Sequence, residues 1–175
     1  MKHGLTTVLL LLLTLAVEAA QPSVPAEQRT TGFRSAKLPA GLHTTWLGMP
    51  RQQFRNMVPE QHLGSPSAIS YFSRANETLM LGGFRVTGIS YGFYKDQLCC
   101  IEVRVLGEAN CRGIQALLAK AYGPSATATG KYWQNPQLRL QYSEMPKGYA
   151  TLLLASPALL AQFQAEQLQP RNQAV

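Results

Sequence analysis

The chain has 175 residues, of which 46% are hydrophobic, 14% charged and 9% aromatic. That balance excludes a collagen, a disordered chain and a multi-span membrane protein. Lys and Arg outnumber Asp and Glu by 16 to 9, but the basic residues are scattered singly from Arg29 to Arg171, so a mildly positive surface is expected, with no nucleic-acid groove.

Lys2 and His3 precede an apolar run over 5–17 that is broken only by Thr6, Thr7 and Thr14. A helix of about 13 residues spans roughly 20 Å, short of the roughly 30 Å hydrocarbon core. With Val17-Glu18-Ala19 behind it, residues 1–19 are expected to be a secretory signal peptide cut after Ala19. The mature chain would then carry no membrane span and would be periplasmic or secreted. Residues 20–40, rich in Pro, Ser, Thr and Ala, are expected to be a flexible lead-in. A single domain is expected over 41–164, with a polar, fraying tail over 165–175.

Within the domain a short extended piece is expected at 44–47. A helix follows over 50–58, opened by Pro50, with Phe54, Met57 and Val58 at i, i+3 and i+4, and stopped by Pro59. Strand character runs over 68–73, 78–81 and 84–94, and in the last Ile89, Tyr91 and Phe93 alternate with Gly88, Ser90 and Gly92. The clearest strand is 98–105, with Ile101, Val103 and Val105 on one side and Glu102 and Arg104 on the other. A two-residue Lys95-Asp96 turn alone would pair Tyr91 with Cys100 and mix inward with outward sets. A bulge or a three-residue turn is expected to pair Tyr91 with Ile101.

Asn110 is a candidate cap for a helix buried through Ile114, Leu117, Leu118 and Ala121 and ended by Gly123-Pro124. Strands at 131–133, 138–143 and 149–155 follow, joined at Asn135-Pro136 and Pro146-Lys147-Gly148. Ser156-Pro157 opens a last helix with Leu159, Leu160 and Phe163 inward. The order is β-α-β-β-β twice, then α, a candidate pseudo-repeat. The fold class expected is α+β, two-layer, an antiparallel sheet with helices packed on one face.

Several of these pieces form a recognisable set: Trp46-Leu-Gly-Met49 with Phe54, the run Tyr91-Gly-Phe-Tyr-Lys-Asp-Gln-Leu98, Leu118-x-x-x-Tyr122-Gly123-Pro124, and Trp133 with Leu138, Leu140 and Tyr142. The set resembles small exported bacterial α+β proteins of uncharacterised function over about residues 44–160. The resemblance implies a periplasmic setting and an antiparallel sheet, and it carries no catalytic residue. The arrangement also resembles, at the level of fold alone, the helix-plus-sheet modules of protein inhibitors and outer-membrane assembly factors.

Cys99, Cys100 and Cys111 leave one thiol over if any two bridge. Small buried thiols are the first expectation. Cys100–Cys111 is the candidate disulfide, and Cys99–Cys111 its alternative. His43 and His62, the only histidines after the leader, sit in loop-like sequence with no zinc spacing. No nucleophile elbow, HExxH motif, phosphate loop or dinucleotide fingerprint occurs, and no two carboxylates are placed to face each other. No cofactor, metal or nucleic acid is therefore expected. Glu102, Arg104, Arg139 and Gln141 on the open sheet face remain as the candidate binding residues. The function expected is that of an exported, non-enzymatic binding protein of the bacterial cell envelope, with another envelope or secreted protein as partner. The alternatives are an inhibitor or immunity-type protein against a secreted enzyme, a small-ligand or lipid binder, and an enzyme with an unrecognised site.

Overall fold

The computed structural model describes residues 38–42, 44–60, 68–125 and 131–168. The expected signal peptide, the lead-in through 37, His43, His62 and the tail beyond 168 lie outside the described residues. In chain order the elements are a 3-10 turn at Arg51–Gln53, then β1 (Met57–Glu60), β2 (Ile69–Arg74), β3 (Met80–Leu81), β4 (Phe84–Arg85), β5 (Gly88–Tyr94) and β6 (Gln97–Leu106). After these come α1 (Glu108–Tyr122), β7 (Lys131–Gln134), β8 (Arg139–Met145), β9 (Tyr149–Ala155) and α2 (Pro157–Leu168). The main sheet has seven strands in the order β1-β2-β5-β6-β9-β8-β7, and every neighbouring pair is antiparallel. β3 and β4 form a separate two-stranded ribbon. The fold is α+β, with helices layered on an antiparallel sheet.

The β5–β6 hairpin sets the register for the rest. Lys95 and Asp96 both take left-handed backbone, φ 49° and 58°, as a tight two-residue hairpin turn requires. Phe93 faces Leu98 and Gly92 faces Cys100, so Cys99 is an extra residue with no partner on β5. That bulge restores parity: Tyr91 faces Ile101 and Ile89 faces Val103. Without it the apolar side of β6 would turn to the wrong side of the sheet.

One apolar core fills the side on which α1 lies. Ile101, Val103 and Val105 of β6, Leu152 and Leu154 of β9, and Leu140 and Tyr142 of β8 meet Cys111, Ile114, Leu118 and Tyr122 of α1. The helix ends at Gly123, whose φ of 84° favours glycine and whose amide donates to the Ala119 carbonyl at 2.9 Å. Its start differs from the sequence expectation. Gly107 stands at the cap with no side-chain bond, while Asn110 donates from Nδ2 back to the Leu106 carbonyl at 2.9 Å. Trp133 Nε1 donates to the Gly123 carbonyl at 2.9 Å and ties β7 to the end of α1. Trp133→Phe is expected to cost about 1–3 kcal/mol, because that buried carbonyl loses its donor. Urea denaturation measures it, and a loss under about 0.5 kcal/mol would show the bond to be dispensable.

Three expectations are corrected. Residues 44–47 form turns, with Thr45 N–H bonded to the Leu42 carbonyl and Met49 N–H to that of Trp46. The helix expected over 50–58 shrinks to the Arg51–Gln53 turn, since Asn56 at φ 56° breaks it and Met57–Glu60 pairs with β2 instead. Pro59 is tolerated there because β1 is an edge strand. The pseudo-repeat is not seen, as no long helix precedes β2 among the described residues.

The placement of α2 also departs from the expectation that the helices pack on one face. Ser156 Oγ accepts from the Leu159 amide at 3.3 Å and starts the helix. Leu159, Leu160 and Phe163 then pack on a second cluster of Ile69, Tyr94, Cys99, Cys100 and Ala155. Ala155 alternates with the core residues Leu152 and Leu154 along β9, so α2 covers one end of the side opposite α1.

Candidate functional site

Beyond the reach of α2 that second side is open. Directly opposed residues share a face, so the register builds it in cross-strand rows. Leu106, Tyr149 and Met145 oppose one another across β6, β9 and β8, and Arg104, Thr151 and Ser143 make the next row. Glu102, Leu153 and Gln141 follow, and Cys100, Ala155 and Arg139 come last. The four residues expected on this face therefore share it. Arg104 Nη1 lies 4.0 Å from Glu102 Oε1, and its Nη2 lies 3.7 Å from Glu60 Oε1. Ser90 Oγ donates to Glu60 Oε2 at 2.5 Å. A Cβ at Gly88 would come within 2.7 Å of Arg104 Nη2, so glycine lets the guanidinium lie down on β5. Arg139 and Gln141 are two strands away with neighbours of their own: Arg139 Nε donates to Gln134 Oε1 at 3.4 Å, and Gln141 Nε2 to Ser143 Oγ at 3.3 Å.

Sequence reasoning missed the first row. Leu106, Tyr149 and Met145 are 40%, 49% and 50% exposed, three large apolar side chains side by side. The alternation of Tyr149, Thr151 and Leu153 against Ala150, Leu152 and Leu154 was the signal available for Tyr149.

A cleft of about 490 Å³ opens elsewhere, between the turns at 53–56 and 74–78. Its wall holds Arg55, Asn56, Arg74, Asn76, Glu77 and Thr78. Asn56 and Asn76 both take left-handed backbone, φ 56° and 61°, and the Ala75 amide donates to the Asn56 carbonyl at 2.8 Å, which fastens the two turns together. Arg74 ends β2 with its guanidinium carbon 4.7 Å from the centre of the Phe54 ring and 4.8 Å from that of Tyr91. Those rings hold it by cation–π attraction. Glu77 Oε1 accepts a hydrogen bond from the Tyr91 hydroxyl and lies 4.0 Å from Arg74 Nη1. Burial pushes the Glu77 carboxyl above its usual range, against the opposing pull of Tyr91 and Arg74. Burial, and then the carboxylate beside it, push the Tyr91 hydroxyl up in turn.

All three thiols are free and buried. Cys100 belongs to the cluster under α2 and Cys111 to the core under α1, so the sheet stands between the two sulfurs of the candidate disulfide. The Cys111 thiol donates to the Gly148 carbonyl at 3.3 Å. The bond with Cys100, and then burial, hold the Cys99 thiol well above its ordinary range, which disfavours the nucleophilic thiolate. Among the described residues no group of three or more His, Cys, Asp or Glu is placed to hold a metal ion, and no helix is long and apolar enough to cross a membrane. No family model matches the chain, and neither curated proteins nor solved structures give a match.

Proposed function

We propose that the protein is a non-enzymatic binding protein of the bacterial cell envelope whose open sheet face docks another exported protein. The observation that carries this reading is the Leu106–Tyr149–Met145 row. Large apolar groups scattered singly are ordinary on a surface, whereas contiguous ones mark contact sites. Tyrosine, at the middle of this row, is among the residue types enriched at the energetic centres of interfaces.

The rim indicates the partner's chemistry. Lys147 stands in the turn joining Met145 to Tyr149 and is exposed, and Arg104 lies in the adjoining row. The whole chain carries a formal +7. Glu108 and Glu144 also border Met145 and Tyr149 and Arg104 is already paired, so the partner is a protein offering an apolar anchor and an acidic group opposite Lys147. An inhibitor of a secreted enzyme would use the same surface. The polar cluster of Glu60, Ser90, Glu102 and Arg104 is largely satisfied internally, so it sets the orientation of the partner more than its affinity.

A photo-crosslinking phenylalanine at Tyr149 in the full chain, expressed in a Gram-negative host, tests the reading. The same group at Ala116, exposed on α1, is the control. A discrete adduct is expected from position 149 only. It should be weakened by Lys147→Glu and abolished by Met145→Glu. Adducts of equal pattern from both positions, or an adduct insensitive to Met145→Glu, would reject the face.

A further inference from the structure

The geometry points to the cleft at Arg74 as a second binding site, for a small organic monocarboxylate: an acidic sugar or the C-terminal carboxylate of a short peptide. The site is independent of the open sheet face. Arg74 opposes Met57 on β1 and packs on Phe54 and Tyr91 of the main core, on the α1 side of the sheet.

Three features carry the inference. The first is pre-organisation. An arginine loses much rotamer freedom when it grips a ligand, and here the Phe54 and Tyr91 rings already fix the guanidinium plane, so that cost is met in the free protein. The second is unused donors. A guanidinium has five N–H groups in a fork that matches a carboxylate. Glu77 touches Arg74 only at 4.0 Å and instead accepts from Tyr91. Arg74 Nε is itself enclosed and without a hydrogen-bond partner, so a ligand would be gripped by the outer part of the guanidinium, the side chain being 23% exposed. The third is charge. Among the described residues of the cleft wall, Arg55 and Arg74 face one carboxylate, Glu77, a surplus of one positive charge that matches a monoanion. A phosphate dianion would meet too little positive charge and would lie beside Glu77.

The remaining wall fits the rest of such a ligand. Gln53, Asn56, Asn76 and Thr78 offer amides and hydroxyls suited to sugar hydroxyls or a peptide bond. The 490 Å³ volume falls within the roughly 300–1,000 Å³ span of small-molecule pockets. Ionised Glu77 competes for Arg74, so lowering the pH toward the carboxyl range is expected to tighten binding until the ligand itself takes up its proton.

The test is a titration of the full chain, followed by ¹H–¹⁵N shifts of the Arg74 Nε–H and the Asn56 and Asn76 amides. The probes are D-glucuronate, N-acetyl-alanyl-alanine, the amide of each, and inorganic phosphate. Saturable shifts at those groups are expected with one of the two carboxylates, which also identifies the source. The matching amide should bind at least tenfold more weakly. Arg74→Lys should weaken binding at least tenfold. Arg55→Gln and Thr78→Val, which leave the aromatic stack untouched, should each weaken it a few-fold and keep the test valid if Arg74→Lys unfolds. Equal binding of carboxylate and amide, tighter binding of phosphate, or no saturable shift with either carboxylate would overturn the assignment. None of these results bears on crosslinking from Tyr149.

Discussion

Deletion of Glu102 is expected to abolish folding, whereas deletion of Cys99 in the same strand is expected to leave a folded protein. The hairpin turn and the bulge fix the two ends of the comparison. If β6 closes up after loss of Glu102, Val103 takes its place opposite Ser90 on the open face. Arg104 then moves into the position facing Ile89 and Leu152 in the core. An unpaired guanidinium buried there costs several kcal/mol, and Val103 and Val105 each forfeit about 1.5–3 kcal/mol of burial. Shifting the other way instead would expel Leu98 and Ile101. Either loss rivals the whole 5–15 kcal/mol that a domain has to spare. Cys99 is different because Leu98 and Cys100 already face consecutive residues of β5. Removing it closes a regular ladder and leaves every later pair unchanged. The cost is the contact under α2 and the bond from the Ser156 amide to the Cys99 carbonyl, about 1–3 kcal/mol together. Circular dichroism with urea denaturation of both deletions decides the matter. Two unfolded products, or two folded ones, would show that the bulge does not set the register.

The same parity argument explains what the sequence makes legible. Ile101, Val103 and Val105 alternate with Glu102 and Arg104, and this alternation is a backbone geometry, so it names the inner and outer faces of β6 without any knowledge of the partner strands. Helix α1 is equally plain, because its buried stripe and its terminal Gly123 are local signals. Phe54, Met57 and Val58 mislead for the converse reason. Their spacing suits a helix, yet Asn56 leaves the helical region and pairing with β2 supplies hydrogen bonds that the isolated segment lacks. The face chosen by α2 depends on the exit from β9 at Ser156-Pro157, which no periodicity reports. The Arg74 cleft is hidden for a different reason. Its groups sit on turns, and they come together through Tyr91, which lies on another strand and reaches Glu77 across the ribbon-side loop. The only local hint is the i, i+3 spacing of Arg74 and Glu77 around Asn76.

Tyr91→Ala is expected to destabilise the protein by about 3–5 kcal/mol, the range for truncating a large buried aromatic. The ring is fully enclosed, meets Phe54 edge-on with centroids 5.5 Å apart and carries one side of the Arg74 stack. Tyr91→Phe isolates the hydroxyl and should cost about 1–3 kcal/mol, since the partly buried Glu77 carboxyl loses its donor. The two variants also differ from the parent in how stability depends on pH. Glu77 is raised in the folded state, so on the way up in pH the unfolded chain gives up this proton first. Between the ordinary carboxyl value and the raised one the folded state holds more protons, and stability falls as pH rises. The Tyr91 bond lowers the Glu77 value. Its removal sends that value higher, and the fall becomes longer and deeper in Tyr91→Phe. Glu77→Gln should abolish the fall altogether. Urea midpoints across the acid-to-neutral range measure all three. A Tyr91→Phe profile that simply runs parallel to the parent's would mean that the hydroxyl does not hold the Glu77 carboxylate, and that Arg74 alone balances it.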